Sequence, residues 1–260
     1  MATVVMSRPE RKNAGNPRMW RELAEVLIGI ERDRTVRVVV LTGAEGDFCA
    51  GADLAGLDGD DPVRYMADSS EAARALHQVT KPVIAKVDGV AVGAGWNLAL
   101  GCDLVVASDR ARFSQIFIRR ALSVDFGGSW LLPKLVGLQK AKEIAFFGEF
   151  LSAEEAADLG LVTRVVAPEE LDTTVDAMAA RLAAAPAQAL SLTKQLLDAA
   201  VDGTFEQALQ RENHVQPSNI RGADAQEAKA AFFEKRAPVF HLADSAPRSV
   251  ENAVRIEGAR

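Results

Sequence analysis

Residues 36–42 (VRVVVLT) form a nearly unbroken β-branched run without polar–apolar alternation. A strand with one wet face alternates. A run like this one is read as buried on both faces, which requires helices above and below its sheet. Residues 82–92 (PVIAKVDGVAV) read the same way, with Asp88-Gly89 as a bend. Residues 1–6, 104–107 (LVVA), 111–118 (ARFSQIFI) and 161–166 (LVTRVV) supply further strands. Helical patterns occupy 19–32, 62–79, 95–100, 127–135, 141–147 and 153–159. Strand and helix therefore alternate, which predicts an α/β layered fold. Ser152 with Glu155 makes a capping box at the last of these helices, and Gly160 closes it. From about residue 171 the strand-like runs stop, which predicts a helical C-terminal region broken at Pro186. Residues 241–260 read as a polar extension, and 249–256 have a helical pattern that needs a partner surface.

A chain of 260 residues can bury a good core as one large domain, or as one domain with a small appendage. Its net charge of −6 argues against nucleic acid as a partner, because phosphate binding leaves a basic footprint. No apolar run is long enough to span a membrane, and the first residues read as a strand and not a signal peptide. Two cysteines, Cys49 and Cys102, make no disulfide framework, so a reduced, cytoplasmic setting is expected. His77, His214 and His241 have no metal-ligand spacing, and no metal site is expected.

Two segments carry the chemistry. Residues 48–54 (FCAGADL) and 92–98 (VGAGWNL) place Gly and Ala where a strand exits into a loop or helix. Small side chains let a ligand lie against the backbone. Each segment can aim an N–H at one point, and two converging N–H groups stabilise charge on a carbonyl oxygen. In the second segment the first turn of a helix adds free N–H groups and partial positive charge. Cys49 reads as buried filler, since no basic neighbour activates it. The loop at 54–62 (LAGLDGDDP) fits either a solvated connection or a mobile flap beside the first turn. Asp125 precedes a predicted helix and fits either an N-cap or an acid/base group. A surround of Phe117, Phe126 and Trp130 would raise its pKa.

These segments, with 8–14 (RPERKNA), 122–137 (LSVDFGGSWLLPKLVG) and 231–240 (AFFEKRAPVF), resemble those of the crotonase superfamily, the enoyl-CoA hydratases and isomerases. The resemblance covers most of the chain. It implies a ββα superhelical core at 1–195 that carries an acyl-CoA site, and a helical region at 196–260 that assembles homotrimers, often paired into hexamers. It implies an acyl-CoA thioester as substrate, with coenzyme A bound as part of it and no separate cofactor. By resemblance Ala50 gives one oxyanion N–H and Ala94 the other. Ala52, Asp53 and Leu54 would lie against the coenzyme, and Arg11, Lys12 and Lys235 would approach its phosphates.

The hydratases of that family keep glutamates where this chain holds Asn97 and Phe117. Asparagine accepts no proton near neutral pH, although it can hydrogen-bond water or a carbonyl. Hydration needs two acid/base groups held across one water, so ordinary hydratase activity is not expected. Asp125 matches the aspartate that moves the proton in several isomerases of the family and is a nucleophile in the related dehalogenases. Val124 stands where those isomerases have proline. Double-bond isomerisation with Asp125 as base is the leading expectation. Thioester hydrolysis or dehalogenation with Asp125 as nucleophile, and acyl-CoA binding without catalysis, are the alternatives. Phe117 and Trp130 point to an apolar or aromatic acyl pocket.

Overall fold

The computed structural model describes residues 1–54, 61–240 and 252–258. Residues 55–60, the centre of the loop read as a flap, lie outside the described residues, as do 241–251 of the extension.

The strands, numbered in chain order, form two sheets. The larger is parallel and contains β1 (Ala2–Met6), β2 (Val39–Gly43), β3 (Val83–Val87), β5 (Leu104–Ser108), β8 (Arg164–Val166) and β9 (Asn252–Ile256). Their order is β8-β5-β3-β2-β1-β9. The smaller holds β4 (Val90–Val92), β6 (Arg112–Ser114) and β7 (Leu151–Ser152), in the order β4-β6-β7.

In β2, Val39, Val40 and Leu41 are all buried, as the apolar run predicts. Alternate residues face different layers. Val39 and Leu41 join the main core with α1 (Pro17–Arg32), α2 (Pro62–Gln78) and α3 (Ala94–Leu100). Val38, Val40, Ile84 and Val106 pack on Leu171, Val175 and Ala179 of α7 (Leu171–Ala183) across the sheet. Helix α1 opens at Asn16, whose Oδ1 accepts from the Met19 amide at 2.9 Å. It buries Met19, Trp20, Leu23, Ala24, Leu27 and Ile30, a stripe at helical spacing. Every residue of α3 is buried, so the helix has no polar face and its first turn lies inside the protein. The chain continues through α4 (Gly128–Val136), α5 (Leu138–Phe147) and α6 (Ala153–Asp158). The predicted capping box opens α6: Ser152 Oγ accepts from the Glu155 amide, and the Glu155 carboxylate accepts from the Ser152 amide.

The structure corrects four readings. Residues 111–118 are not one strand. Pairing ends at Ser114, and Ile116–Arg120 form a 3-10 turn. The cause is Gln115, whose polar side chain is buried and bonded to α3, and which turns the chain off the sheet edge. In 161–166 only Arg164–Val166 pair, while Leu161 and Val162 plug the core behind α6. Residues 249–256 do not contain a helix over their described part. Asn252–Ile256 are a strand, because the outer edge of β1 offers unpaired N–H and C=O groups that a short isolated helix could not match in stability. A division at residue 195 would cut α8 (Ala187–Ala200), which is continuous. The helical region begins at the break before Pro186, and β9 returns from it to the sheet.

Helix α8 is followed by α9 (Phe205–Arg221) and α10 (Ala223–Glu234). Of these three helices only Ala231 is buried, and Leu197, Phe205, Phe232 and Phe233 are exposed. Among the described residues no helix is long and apolar enough to cross a membrane.

Candidate active site

The two small-residue turns meet. The Cys49 amide donates to Val90 O at 2.9 Å and Cys49 O accepts from Val92 N at 3.0 Å, which joins the first turn to β4. Two glycines allow the approach. A Cβ on Gly51 (φ +91°) would stand 2.7 Å from Val92 O, and one on Gly95 would stand 2.2 Å from Cys49 O. The same Cβ on Gly51 would lie 3.6 Å from the Ala94 nitrogen, so the backbone of residues 50–52 passes beside the start of α3.

Within this cradle the donors differ from the sequence expectation. The Ala50 amide donates to Lys12 O at 3.0 Å. It is spent on the turn after β1, which corrects its reading as an oxyanion donor. On either side of Ala52, Gly51 O accepts from the Gly15 amide at 2.7 Å and the Asp53 amide donates to Gly15 O at 2.9 Å. Ala52 sits between them in a parallel bridge to Gly15, and in that geometry its own amide points away from Gly15. Ala94 is the first residue of α3, so its N–H has no acceptor within the helix.

Asn97 lies one turn into α3 and is fully buried. Its Nδ2 donates to the main-chain carbonyl of Asp125 at 2.9 Å, and its Oδ1 accepts from Gln115 Nε2 at 2.7 Å. Each end of the carboxamide makes one of these bonds, so Asn97 is a support for the Asp125 turn. Gly128 leaves the room for it: a Cβ there would stand 2.3 Å from Asn97 Nδ2. Phe117 occupies the other glutamate position. It is buried, and its ring edge is 3.5 Å from where a Cβ on Gly93 would be, at the mouth of α3.

Asp125 does not cap α4. The N-cap position is Gly127, with no side-chain bond. The Asp125 Oδ1 is buried without a hydrogen-bond partner, and burial pushes the carboxyl pKa up to about 6. The chain leaves Asp125 through Phe126 (φ +50°) and Gly127 (φ +77°), two successive left-handed residues. Phe126 is held there by Trp20, at 5.1 Å between ring centroids. Trp20 Nε1 in turn donates to Tyr65 Oη, which donates to Gly15 O. Burial pushes the Cys49 thiol up to about 12, so it carries no thiolate near neutral pH.

A cleft of about 310 Å³ opens between α2 and α4, lined by Leu76, His77, Asn97, Phe126, Trp130 and Leu131. Trp130 meets His77 edge-on at 5.5 Å, and Lys134 Nζ sits 4.4 Å over its ring. Trp130 therefore lines a cleft and is not core.

The basic candidates are dispersed. Arg11 and Lys12 are exposed on the turn after β1, and Lys12 Nζ is 3.5 Å from Asp47. Lys235 ends α10 in a left-handed conformation, and no described hydrogen bond or ion pair joins it to either turn. Leu54 is exposed at the end of the described stretch. Asp53 is paired with Arg8 at 2.8 Å, both side chains largely buried. Arg8 and Gln115, which bond to Asp53 and Asn97, are residues that the sequence reading passed over. A polar residue between apolar ones (Ser114-Gln115-Ile116) was the available signal for Gln115. Among the described residues no group of His, Cys, Asp and Glu is arranged to hold a metal ion.

Fold and paired turns define a crotonase-type α/β protein. The sequence pattern of the enoyl-CoA hydratase/isomerase family matches residues 1–242. The chain is 41% identical over 245 residues to the 1,2-epoxyphenylacetyl-CoA isomerase of Escherichia coli K12, covering 92% of this chain and 94% of that one. It is 36% identical over 245 residues to a probable enoyl-CoA hydratase of Rhodobacter capsulatus, with the same coverage. An enoyl-CoA hydratase subunit I from Geobacillus kaustophilus HTA426 superimposes with a TM-score of 0.87 at 37% identity, over 92% of this chain and 94% of that chain. The protein belongs to the enoyl-CoA hydratase/isomerase family of the crotonase superfamily, enzymes that act on acyl-CoA thioesters.

Proposed function

We propose that this enzyme isomerises acyl-CoA thioesters by moving a proton with Asp125, while the amides of Ala52 and Ala94 hold the thioester oxygen. One observation carries the reading: Asp125 has a buried, unpartnered carboxyl oxygen, while neither position of the hydratase pair offers a carboxylate. With a pKa of about 6 the group is mostly a carboxylate at neutral pH, yet poised to keep a proton it has taken. The carboxylate removes a proton from carbon next to the thioester. The electron pair spreads onto the thioester oxygen, where two backbone N–H groups stabilise it. The proton returns at a different carbon, the carbonyl reforms, and nothing is added or lost.

Ala52 takes the role because its amide is turned out of the Gly15 bridge, whereas that of Ala50 is not free. Asn97 positions Asp125 through its carbonyl. The cleft walled by Phe126 and Trp130 suits an apolar or aromatic acyl group, in keeping with the arylacetyl substrate in the name of the Escherichia coli relative. Coenzyme A enters as part of the substrate. The exposed Leu197, Phe205, Phe232 and Phe233 suit assembly into a homotrimer or a dimer of trimers, which would decide whether Lys235 reaches a neighbouring site. The cytoplasm is the proposed location.

The test is mass spectrometry of enoyl-CoA and aryl-CoA thioesters incubated with the protein in D2O. Deuterium at the α or γ carbon, with no added water and no lost thiol, supports the reading. Release of free thiol would replace it with hydrolysis at Asp125, and binding with no exchange would leave a binding protein.

A further inference from the structure

The family pattern ends at residue 242, yet Asn252–Ile256 add β9 to the main sheet. The strand pairs in register with all of β1, from Ala2 opposite Asn252 to Met6 opposite Ile256. Ile256 is 1% exposed and belongs to the main core. The Ser7 amide donates to Ile256 O at 2.9 Å. Two residues further on, Gly258 is buried. A Cβ there would stand 2.6 Å from Asn16 Oδ1 and 3.0 Å from Arg8 Cδ, so any larger residue would push the Asn16 and Arg8 side chains aside. Gly258 O accepts from Asn16 Nδ2 at 3.4 Å.

Asn16 and Arg8 are the residues that stand behind the first turn of the site. Asn16 caps α1 and follows Gly15, whose N–H and C=O hold Gly51 and Asp53. Arg8 donates to Asp53 Oδ2 at 2.8 Å and to Ala14 O at 2.6 Å. Two routes from the C-terminal segment therefore converge on Asp53, the neighbour of Ala52. We propose that residues 252–258 are a positioning element for the thioester site: they seat Arg8 and Asn16, and through them fix the turn that carries the Ala52 amide. The inference rests on the proposed donor role of Ala52. Without β9 the outer edge of β1 and the stem of Arg8 would meet water. The Arg8–Asp53 pair would then weaken as an exposed pair does. A donor displaced by about 1 Å loses on the order of a hundredfold in rate, so a small loosening there is felt at the site.

The experiment compares the full chain with Ile256→Lys, which unseats the strand, and Gly258→Val, which keeps the strand but crowds Asn16 and Arg8. A third sample is a chain ending at Phe240, with and without a synthetic peptide of residues 249–260. Hydrogen exchange at the Gly15 and Asp53 amides is read against the amides of β2 and β3, and acetyl-CoA is titrated by calorimetry. The expected result is selective loss of protection at Gly15 and Asp53, about tenfold or more, with acetyl-CoA binding weakened about five- to tenfold and restored by the peptide. Uniform loss of protection and a lower Tm, with acetyl-CoA affinity unchanged, would reduce β9 to a structural edge cap and overturn the proposal. If the unaltered chain binds no acetyl-CoA, the functional reading falls. Exchange at Gly15 and Asp53 then decides this inference by itself, and unchanged protection in Gly258→Val overturns it.

Discussion

Asn97 donates its side-chain N–H to the main-chain carbonyl of Asp125 at 2.9 Å. Helix α3, which begins at Ala94, thereby grips the turn that presents the carboxyl group. The residue that replaces a hydratase glutamate has become the support of the remaining acid. Gln115 locks the other end of the same carboxamide, so the support cannot swing.

Replacing Asp125 by Asn should remove proton transfer while keeping shape. Solvent deuterium exchange into a responsive thioester should fall by about 10²- to 10⁴-fold, the usual worth of a positioned base. Calorimetric affinity for coenzyme A should stay within about twofold. Retained exchange in Asp125→Asn would assign the base elsewhere.

The raised pKa of Asp125 sets two pH trends. The proposed base acts as the carboxylate, so kcat/KM should rise with pH and level off above a midpoint near 6. Stability runs the other way. The folded pKa lies above the ordinary value of 3.8, so the folded state holds the proton more tightly than the unfolded one. That contribution is present at low pH and is lost as pH rises through about 6. The Tm advantage of Asp125→Asn over the unaltered chain should therefore grow as pH rises from 3.8 to about 6 and then level off, which paired thermal melts would read.

Asn97→Ala should leave the Gln115 side-chain N–H buried without its partner and take from the Asp125 carbonyl one of its two donors, the Gly128 amide being the other. The expected loss is about 1–3 kcal/mol of stability, with kcat reduced more than KM is raised. Gly128→Ala attacks the same contact by crowding, since its Cβ would stand 2.3 Å from the Asn97 side chain, and should cost about 1–3 kcal/mol. Denaturant unfolding of both variants measures this, and their effects should not add, because they disturb one contact.

Ala94→Pro tests the second oxyanion donor with little harm to the helix. Ala94 is the first residue of α3, where proline is tolerated and no intrahelical bond is lost. The rate should fall about 10²- to 10³-fold. A rate near that of the unaltered chain would show that the Ala94 amide does not hold the reacting oxygen.

The alternation of 36–42, 82–92 and 104–107 with amphipathic stretches was enough to imply a helix-covered sheet in an α/β layered fold, because burial on both faces leaves a run of apolar residues that no half-exposed strand shows. The small-residue turns at Gly51 and Gly95 were equally legible, since close backbone approach excludes a Cβ whatever surrounds it. Ala50 against Ala52 was not. Amides two residues apart in one turn differ in how each is placed against Lys12 and Gly15, which are contributed by distant chain. Whether Asp125 capped a helix or stayed open depended on the left-handed step at Phe126, which Trp20 holds from another helix. Residues 249–256 carried a pattern compatible with a helix and no mark of the open edge of β1 that makes part of them a strand. Local propensity and spacing live in the sequence. The direction of a single N–H, the burial of one carboxyl oxygen and the vacancy at a sheet edge arise only when remote segments pack, and there the tertiary structure decided.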